Sequence, residues 1–531
     1  MRSIWRAGTI VFIASFCTLV VELTAGRMIA PYLGVSLYTW TSVIGVMLAG
    51  ISLGNYVGGR IGDRFPTVTT LGVLFLLSSI LTLTILPLTA IISGIAQDLP
   101  VHLMLKILFF TATVFFLPSV FMGTITPVVV RLILDDLTRT GGVVGRIYAL
   151  STVGAIAGTF ATGFFLVSFF GTRTVILLVA IILLLVAVIF GNLWNRRLLL
   201  GGGALLLVLL GIFSYGRNAY SLPLGWNYVR HLAQDALTLQ PRGAFAAPCQ
   251  VETNYFCIRV TEKKLEENVT QRRLVLDHLI HSYSILEDPT RLDYDYVKIY
   301  AELVKYIAGD RTGIRTFSIG GGGYTFPRYL EVVYPDAVIE VAEIDPAVTE
   351  VAHEKMGLPR GTRVKTYNED ARLVVKRLEA GQYDAIIGDA FNDLSVPWHL
   401  TTREFAEIVH DLLTPDGFYM LNVVDTFEHG RFLPSMILTL EQVFPHVYLL
   451  ADGPGWEQDG RNTFVLVAGK QPLTEAMLHS TVGALLPDGP VSTMLDPARL
   501  REYVDSRPAV ILTDSYAPVD NMLAPVFAER G

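Results

Sequence analysis

TFSIGGGGYTFPRYLEVVYPDAVIEVAEID, residues 316–345, is the stretch that decides the fold of the second half of this chain. It predicts a β-strand, a glycine turn, a helix, and a second strand that ends in an acid. Glycines let the backbone approach a ligand, and a carboxylate at the tip of the next strand can bind both ribose hydroxyls. Glu343 lies 23 residues after Gly320, near the roughly 20 that such sites use. The stretch therefore predicts a nucleoside site.

Strand and helix patterns alternate after this turn, which predicts an α/β domain with a doubly wound, mainly parallel sheet. Such sheets bind ligands at the carboxyl ends of their strands. Acids follow three of the predicted ends, and they favour a ligand site over ordinary polar loops: Glu343 with Asp345, Asp370, and Asp389. The later strands are predicted within RVKTYNEDA (363–371), YDAIIGDAF (383–391), GFYMLNVVD (417–425), HVYLLAD (446–452) and NTFVLVAGK (462–470).

The first 216 residues have a different composition. They carry 12 Lys and Arg and 5 Asp and Glu, whereas the remainder carries 29 and 43. Apolar runs of about 20 residues are long enough to cross a bilayer. We therefore predict a multi-pass membrane domain over 1–216, in contact with lipid, and the acidic remainder excludes a nucleic-acid partner. The seven runs are 7–29, 36–59, 67–96, 104–130, 147–171, 174–194 and 198–215.

Loop charges predict the orientation of this domain, because positively charged loops favour the cytoplasmic side. Nine arginines fall on the side of the N-terminus and three basic residues on the other. We therefore predict a multi-pass protein of the cell membrane. Seven spans would place its second half outside the cytoplasm. Dividing the run 104–130 at Pro118 would reverse that side. Glu22 is an acid within a span, and it either has a function there or pairs with Arg27.

Three further segments follow the membrane domain. Residues 217–245 are predicted to be a linker, 246–300 a small β subdomain, and 301–531 the nucleoside-binding domain. The subdomain is predicted as a hairpin of VETNYFCIRVTEKK (251–264) and QRRLVLDHLIHSY (271–283). Cys249 and Cys257 flank the first strand, so they form either a disulfide in an oxidising compartment or two free thiols.

Residues 250–470 resemble spermidine synthases, which are aminopropyltransferases with the fold of class I methyltransferases. The resemblance lies in the Leu-Asp of the hairpin (276–277), I-G-G-G (319–322), E-I-D (343–345), E-D-A (369–371), G-D-A-F-N-D (388–393) and L-T-T-R-E-F (400–405). The whole chain, apolar runs included, is similar to fused membrane spermidine synthase-like proteins.

The resemblance implies roles for individual residues. The glycines of the turn would lie against the nucleoside, Glu343 would hold the ribose, Asp370 would bind the adenine amino group, and Asp389 would be the general base. His281 stands at a Gln position of the family and is expected to line the co-substrate site. The remaining expected residues are Gly320, Gly321 and Gly322 for the co-substrate, and Tyr294, Tyr296, Asn392, Asp393 and Trp398 for the amine.

The implied co-substrate is decarboxylated S-adenosylmethionine, with a small amine or polyamine as acceptor and no metal. Gly323 departs from the family, which has there an Asp that binds the amine of the decarboxylated co-substrate. Intact S-adenosylmethionine is therefore an alternative. Asn392 replaces the second acid of the family's D-x-x-D, and the family's Tyr-His pair has no clean equivalent. Soluble relatives commonly pair, so the resemblance leaves a homodimer open.

The chemistry of the reaction supports Asp389 independently, because an amine attacks a carbon beside a sulfonium only with a free lone pair. We predict a membrane-bound aminopropyltransferase that releases methylthioadenosine. The alternatives are a lyase or methyl transfer on S-adenosylmethionine, a polyamine transporter or sensor that binds a nucleoside without turnover, and an enzyme for which the spans are only an anchor.

Overall fold

The computed structural model describes residues 4–98, 101, 103–134, 140–191, 249–266, 269–390, 396–453, 455–457, 460–482 and 489–528. The chain divides into two compact units, Met1–Cys257 and Ile258–Gly531. The predicted linker 217–245 and the seventh apolar run, 198–215, lie outside the described residues.

The first unit contains six helical segments that are long and apolar enough to cross a membrane. They match six of the predicted runs and indicate a multi-pass membrane protein. The run 104–130 is a single span, because its helix continues through Pro118. The helices are α1 (Ile4–Leu33), α2 (Leu37–Arg64), α3 (Val68–Asp98), α4 (Leu103–Gly123), α5 (Ile125–Ile133), α6 (Thr140–Ala161) and α7 (Val167–Phe190).

A tight turn at Gly171 joins the last two spans. Helix α6 continues as a π-helix over Thr162–Leu166, and Gly171 then takes φ 71° and ψ 160°. A residue with a Cβ avoids this conformation, so glycine is needed for the turn. Within the bundle, α1 packs on α6, α2 on α4, and α3 on α7.

A disulfide joins Cys249 and Cys257, so the bonded alternative is the correct one. The loop that it closes contains β1 (Val251–Glu252). The Glu252 carboxylate accepts hydrogen bonds from the Thr172 backbone N–H at 3.1 Å and the Thr172 hydroxyl at 3.2 Å. Since Thr172 directly follows the turn, Glu252 satisfies an N–H group at the start of the sixth span.

The second unit begins with an antiparallel sheet of β2 (Cys257–Glu266), β3 (Val269–Leu276) and β4 (Leu279–Ile285). The predicted two-strand hairpin is wrong in its second strand, because the stretch 271–283 turns back on itself and forms both β3 and β4. Asp277 takes φ 53° at this turn, a left-handed conformation that Asp tolerates. The Leu-Asp motif is therefore the turn between these two strands.

The large sheet confirms the doubly wound, mainly parallel prediction. Its strands are β5 (Arg315–Ile319), β6 (Val338–Ala342), β7 (Lys365–Tyr367), β8 (Tyr383–Gly388), β9 (Leu413–Thr426), β10 (His446–Asp452), β11 (Arg461–Gly469) and β12 (Ser492–Met494). The strand order is β12-β10-β11-β9-β8-β5-β6-β7. The strands from β9 to β7 run parallel, whereas β11, β10 and β12 pair antiparallel. Strands β6 and β7 lie on one side of β5, and β8 and β9 lie on the other. This reversal of strand order next to β5 leaves a crevice at its carboxyl end.

Helices cover both faces of this sheet, and its central strands bury apolar side chains such as Phe317, Ile386 and Val423 at 0% exposure. This packing fixes the strand ends from which the acids project. The helices are α8 (Asp295–Ala308), α9 (Thr325–Val333), α10 (Pro346–Lys355), α11 (Ala371–Val375), α12 (Arg403–Leu412), α13 (Phe432–Leu440), α14 (Glu475–Val482), α15 (Pro497–Asp505) and α16 (Val519–Ala528).

Candidate active site

The glycine turn follows β5 and brings the backbone close to the end of β8. Gly320 takes φ 97°, and a Cβ there would lie 3.0 Å from the Asp389 carbonyl carbon. Both the conformation and the close approach require glycine. The Gly320 N–H donates to the Ala342 carbonyl oxygen at 2.9 Å, which ties the turn to β6.

Glu343 follows β6 and holds the other side of the turn. Its carboxylate accepts hydrogen bonds from the N–H groups of Gly321 at 2.9 Å, Gly322 at 3.2 Å and Asp345 at 3.0 Å. Burial raises the pKa of Glu343, and these hydrogen bonds oppose that increase because they favour the charged form. Glu343 therefore organises the glycine turn, and its role towards a ribose stays a prediction.

Asp389 follows β8 and receives two hydrogen bonds from other elements. The Tyr296 hydroxyl on α8 donates at 2.9 Å, and the Asn422 amide on β9 donates at 2.7 Å. Burial raises the pKa of Asp389, although both hydrogen bonds lower it. The Asn422 Oδ1 atom is buried, and within the described part of the chain it has no hydrogen-bond partner.

A cavity that is open to solvent is lined by Asp389, by Gly320 and Gly321 of the glycine turn, and by Tyr296 of α8. The Asp389 side chain is partly exposed and lines this cavity. Tyrosine rings form one wall in edge-on contact, with centroids 4.9 Å apart for Tyr283 and Tyr294 and 4.8 Å apart for Tyr294 and Tyr296. Aromatic faces beside a carboxylate favour a cationic ligand. The cavity is thus suited to a positively charged group next to an acid.

Ser282, on β4, fills the space beside the end of the glycine turn. Its hydroxyl accepts a hydrogen bond from the Gly323 N–H at 2.9 Å. A Cβ on Gly323 would lie 2.8 Å from the Ser282 Cβ, so an acid at position 323 has no room unless β4 moves. A serine hydroxyl can also donate to a carboxylate, whereas it cannot balance the charge of an ammonium group.

Asp370 lies at the start of α11 rather than in this cavity. One carboxylate oxygen accepts from the Arg372 N–H at 2.8 Å, and the other lies 2.9 Å from His399 Nε2. Asp370 is therefore a helix cap with a histidine partner, and its contact with adenine stays a prediction.

The other expected residues divide into four groups. Tyr294 and Tyr296 line the cavity together with Gly320, Gly321 and Asp389. His281 and Trp398 do not line it: His281 Nδ1 lies 3.0 Å from the Leu279 carbonyl oxygen, and Trp398 is 49% exposed beside His399. Gly322 faces Ser282 at the rim, and Asn392 and Asp393 lie outside the described residues.

The sequence predictions missed Asn422 and Ser282. Asn422 carried a signal, because it is the one amide within the apolar strand GFYMLNVVD. Ser282 carried none, because a serine in an alternating strand is ordinary and only the fold brings it to the glycine turn. No group of three or more potential metal ligands occurs among the described residues.

Comparison with known proteins gives matches to the second half of the chain. Residues 310–452 match the family model described as the spermine/spermidine synthase domain. The polyamine aminopropyltransferase of Vibrio vulnificus is 33% identical over 136 residues, which cover 25% of this chain and 44% of that protein. Putrescine N-methyltransferase 4 of Nicotiana tabacum is 28% identical over 151 residues, covering 27% and 39%.

A solved structure is also similar to this chain. The probable spermidine synthase from Corynebacterium glutamicum gives a TM-score of 0.44 at 25% identity, over 50% of this chain and 95% of that one. In contrast, the matches to the Vibrio vulnificus aminopropyltransferase and the Nicotiana tabacum methyltransferase span less than half the length of those two proteins.

Proposed function

The second half of this chain carries a spermine/spermidine synthase domain, and from that premise we propose that it transfers an aminopropyl group from an adenosyl sulfonium to an amine. The amine nitrogen attacks the carbon beside the sulfonium, and a new C–N bond forms. The C–S bond breaks with its electron pair retained by sulfur, so methylthioadenosine leaves. The amine loses one proton, which Asp389 accepts.

The observation that carries this proposal is the position of Asp389 on the same cavity as the glycine turn. Its two partners, Tyr296 and Asn422, come from α8 and β9, so the carboxylate is held in one orientation before a substrate binds. Orientation of the reacting groups contributes more to the rate of this reaction than electrostatic activation does, because the sulfonium already supplies a good leaving group.

The tyrosine wall supports a cationic acceptor. An aliphatic diamine carries charge at pH 7, and its hydrocarbon part can pack on Tyr283 and Tyr294 while one nitrogen approaches Asp389. Each favourable ammonium–aromatic contact contributes about 0.5–2 kcal/mol. We propose a small amine or polyamine as the acceptor.

A second candidate reaction uses intact S-adenosylmethionine. It is favoured by Ser282 and Gly323, because no acid stands at position 323 to bind an amine or to repel a carboxylate. Methyl transfer would give S-adenosylhomocysteine, and lyase chemistry would give methylthioadenosine without a longer amine. The similarity to a putrescine N-methyltransferase makes the methyl-transfer version worth testing.

We also propose that the second unit works outside the cytoplasm. Arg27 is 23 residues beyond Ile4 in one helix, about 35 Å along its axis at about 1.5 Å per residue. There its guanidinium donates to the carbonyl oxygens of Thr253 and Tyr255. The disulfide loop thus lies at the end of the bundle opposite the N-terminus. The arginines near the N-terminus favour the cytoplasm, and a disulfide favours the opposite side.

Product analysis tests the reaction. The purified full chain is incubated with a putrescine acceptor and either decarboxylated or intact S-adenosylmethionine, and products are identified by mass spectrometry. We expect equal amounts of methylthioadenosine and a lengthened amine. Methylthioadenosine alone, or S-adenosylhomocysteine, would contradict aminopropyl transfer and identify the alternative reaction.

Asp389→Asn tests the proposed base. Loss of a general base typically lowers turnover by a factor of about 10²–10⁴, and the amide can still accept a hydrogen bond from Tyr296. We expect turnover to fall by at least about 100-fold while methylthioadenosine binding stays within a few-fold of wild type. Asp384→Asn, an acid at the opposite end of β8, is the matched control and should retain activity. Normal turnover in Asp389→Asn would remove this residue from the mechanism.

A further inference from the structure

The two halves of the membrane unit repeat the same helix contacts. A Cβ on Gly50 would lie 2.9 Å from the Phe116 carbonyl oxygen, and a Cβ on Gly154 would meet the Phe12 carbonyl oxygen. Residue 154 is 104 positions after 50, and residue 12 is 104 positions before 116. A shift of 104 residues therefore converts the contact between α2 and α4 into the contact between α6 and α1.

The next helical turn repeats the relation. A Cβ on Gly54 would meet the Val120 carbonyl oxygen, and a Cβ on Gly158 would lie 2.6 Å from the Phe16 carbonyl oxygen. The shift is again 104 in both directions. The backbones of the two helix pairs thus approach each other at equivalent places.

Side chains between the same helices follow the same rule. The hydroxyls of Ser15 and Ser151 lie 2.6 Å apart, and the Ser119 hydroxyl lies 2.7 Å from Met47 Sδ. Residues 15 and 151 correspond to 119 and 47 under the shift of 104. Three independent pairs of contacts therefore support one internal symmetry.

Among the six described spans, this symmetry relates the first three to the next three. It exchanges α1 with α4 and α2 with α6, and the remaining pair, α3 with α7, maps onto itself. Equivalent spans are separated by three crossings, so they run in opposite directions through the membrane. The unit is thus an inverted repeat with its two-fold axis in the membrane plane, which is the architecture of many secondary transporters.

The two repeats differ at one level of the bundle. In the second repeat the regular α-helical hydrogen-bond pattern changes at Thr124, between α4 and α5, where the backbone stays helical at φ −68° and ψ −19°, and again in the π-helix that starts at Thr162. The equivalent residues of the first repeat, Val20 and Gly58, lie inside the uninterrupted helices α1 and α2. Local changes of helix geometry such as a π-helix frequently lie at functional sites.

Glu22 lies two residues beyond Val20, and its equivalent in the second repeat, Thr126, lies two residues beyond Thr124. Within the described membrane helices, Glu22 is the one acidic residue that lies more than two residues from a helix end. Placing a charged carboxylate within the hydrocarbon region costs free energy, and acids found there usually bind a cation or transfer a proton. The chemistry of this level of the bundle therefore favours a positively charged solute.

We propose that the membrane unit is a transporter in which the two repeats exchange conformations, and that it carries a small organic cation. This step rests on the proposed function, because an enzyme outside the cytoplasm needs its cationic reactant delivered or its cationic product removed. The amines and the sulfonium of that reaction belong to this chemical class.

Transport is tested with the full chain in proteoliposomes. Vesicles loaded with unlabelled spermidine, putrescine or S-adenosylmethionine are diluted into the same compound in labelled form, and exchange is followed over minutes. We expect at least one of the three to exchange at a rate tenfold or more above protein-free vesicles, and Glu22→Gln to lower that rate at least tenfold. Glu379→Gln, an exposed acid of the second unit, is the matched control. Labelled glutamate, an organic anion, should not exchange.

Two further measurements separate transport from folding and from catalysis. Val20→Cys and Thr124→Cys, each in a Cys17→Ser background, are labelled in membranes with and without solute. We expect reciprocal changes, with labelling increased at one position and decreased at the other. Asp389→Asn should exchange solute at the wild-type rate, so failure of the enzymatic proposal leaves this readout intact. Absence of exchange for all three cations, or parallel labelling changes at both positions, would overturn the transporter proposal.

Discussion

At the scale of single residues, the hydrogen bonds to Asp389 determine the pH dependence of the proposed reaction. Burial raises the pKa of this acid above the ordinary value of about 3.9. A base works only when it is unprotonated, so kcat/KM should fall as the pH drops through this raised pKa. Tyr296→Phe removes a donor that favours the charged form, so it should raise the pKa of Asp389 and move this acid limb to higher pH.

The measurement is a pH profile of kcat/KM for wild type, Tyr296→Phe and Tyr300→Phe. Tyr300 is a buried neighbour that makes ring contact with Tyr296, and it serves as the control for lost aromatic volume. Its profile should keep the wild-type acid limb. A downward shift in Tyr296→Phe, or equal shifts in both variants, would contradict the role of the Tyr296 hydroxyl.

Gly323 and Ser282 should decide which sulfonium is preferred. Because a Cβ at 323 collides with Ser282, the acid can be introduced only when the serine is removed. In the double variant Gly323→Asp with Ser282→Gly, we expect kcat/KM for decarboxylated S-adenosylmethionine to rise relative to that for the intact form. The ratio of the two should increase by tenfold or more, and tenfold corresponds to about 1.4 kcal/mol. Ser282→Gly alone is the control. Equal loss with both substrates would show that the variant only damages the site.

At the scale of secondary-structure elements, the turn at Gly171 limits how the last two spans can pair. Its φ of 71° strains any residue with a Cβ, at a cost of about 1–3 kcal/mol. Gly171→Ala should therefore lower the melting temperature of the purified protein. Gly59→Ala in α2 is the control, because the space around Gly59 is open and its φ is not positive. Equal melting temperatures for both variants would contradict this reading of the turn.

Elements were predictable from the sequence where the signal is local. The glycine turn, seven of the eight strands of the large sheet and six spans each follow from a short pattern of residues, whereas the short strand β12 was not predicted. The β3–β4 turn was missed because Asp277 takes a left-handed conformation inside an alternating stretch, which a two-residue period does not reveal. The partners of Asp389 were not predicted as a set, because Tyr296 lies 93 positions and Asn422 lies 33 positions away. Only the packing of α8 and β9 brings them together.

At the scale of the whole molecule, the disulfide tests the compartment of the second unit. If the loop lies outside the cytoplasm, an impermeant thiol reagent applied to intact cells should label Cys249 and Cys257 only after reduction. The Cys249→Ser variant leaves one thiol that should react without reduction. Labelling that requires permeabilised cells in both proteins would place the loop in the cytoplasm and would contradict the proposed compartment.

Binding of an adenosine-bearing sulfonium in the cavity beside Asp389 is the claim on which the enzymatic account depends. Isothermal titration calorimetry of the purified full chain with S-adenosylmethionine, its decarboxylated form and methylthioadenosine measures it directly. The account predicts one site for each ligand that binds, mutual competition, and loss of binding in Gly320→Val, whose side chain would enter the space against Asp389. Absence of binding for all three nucleosides in correctly folded protein, or undiminished affinity in Gly320→Val, would contradict it.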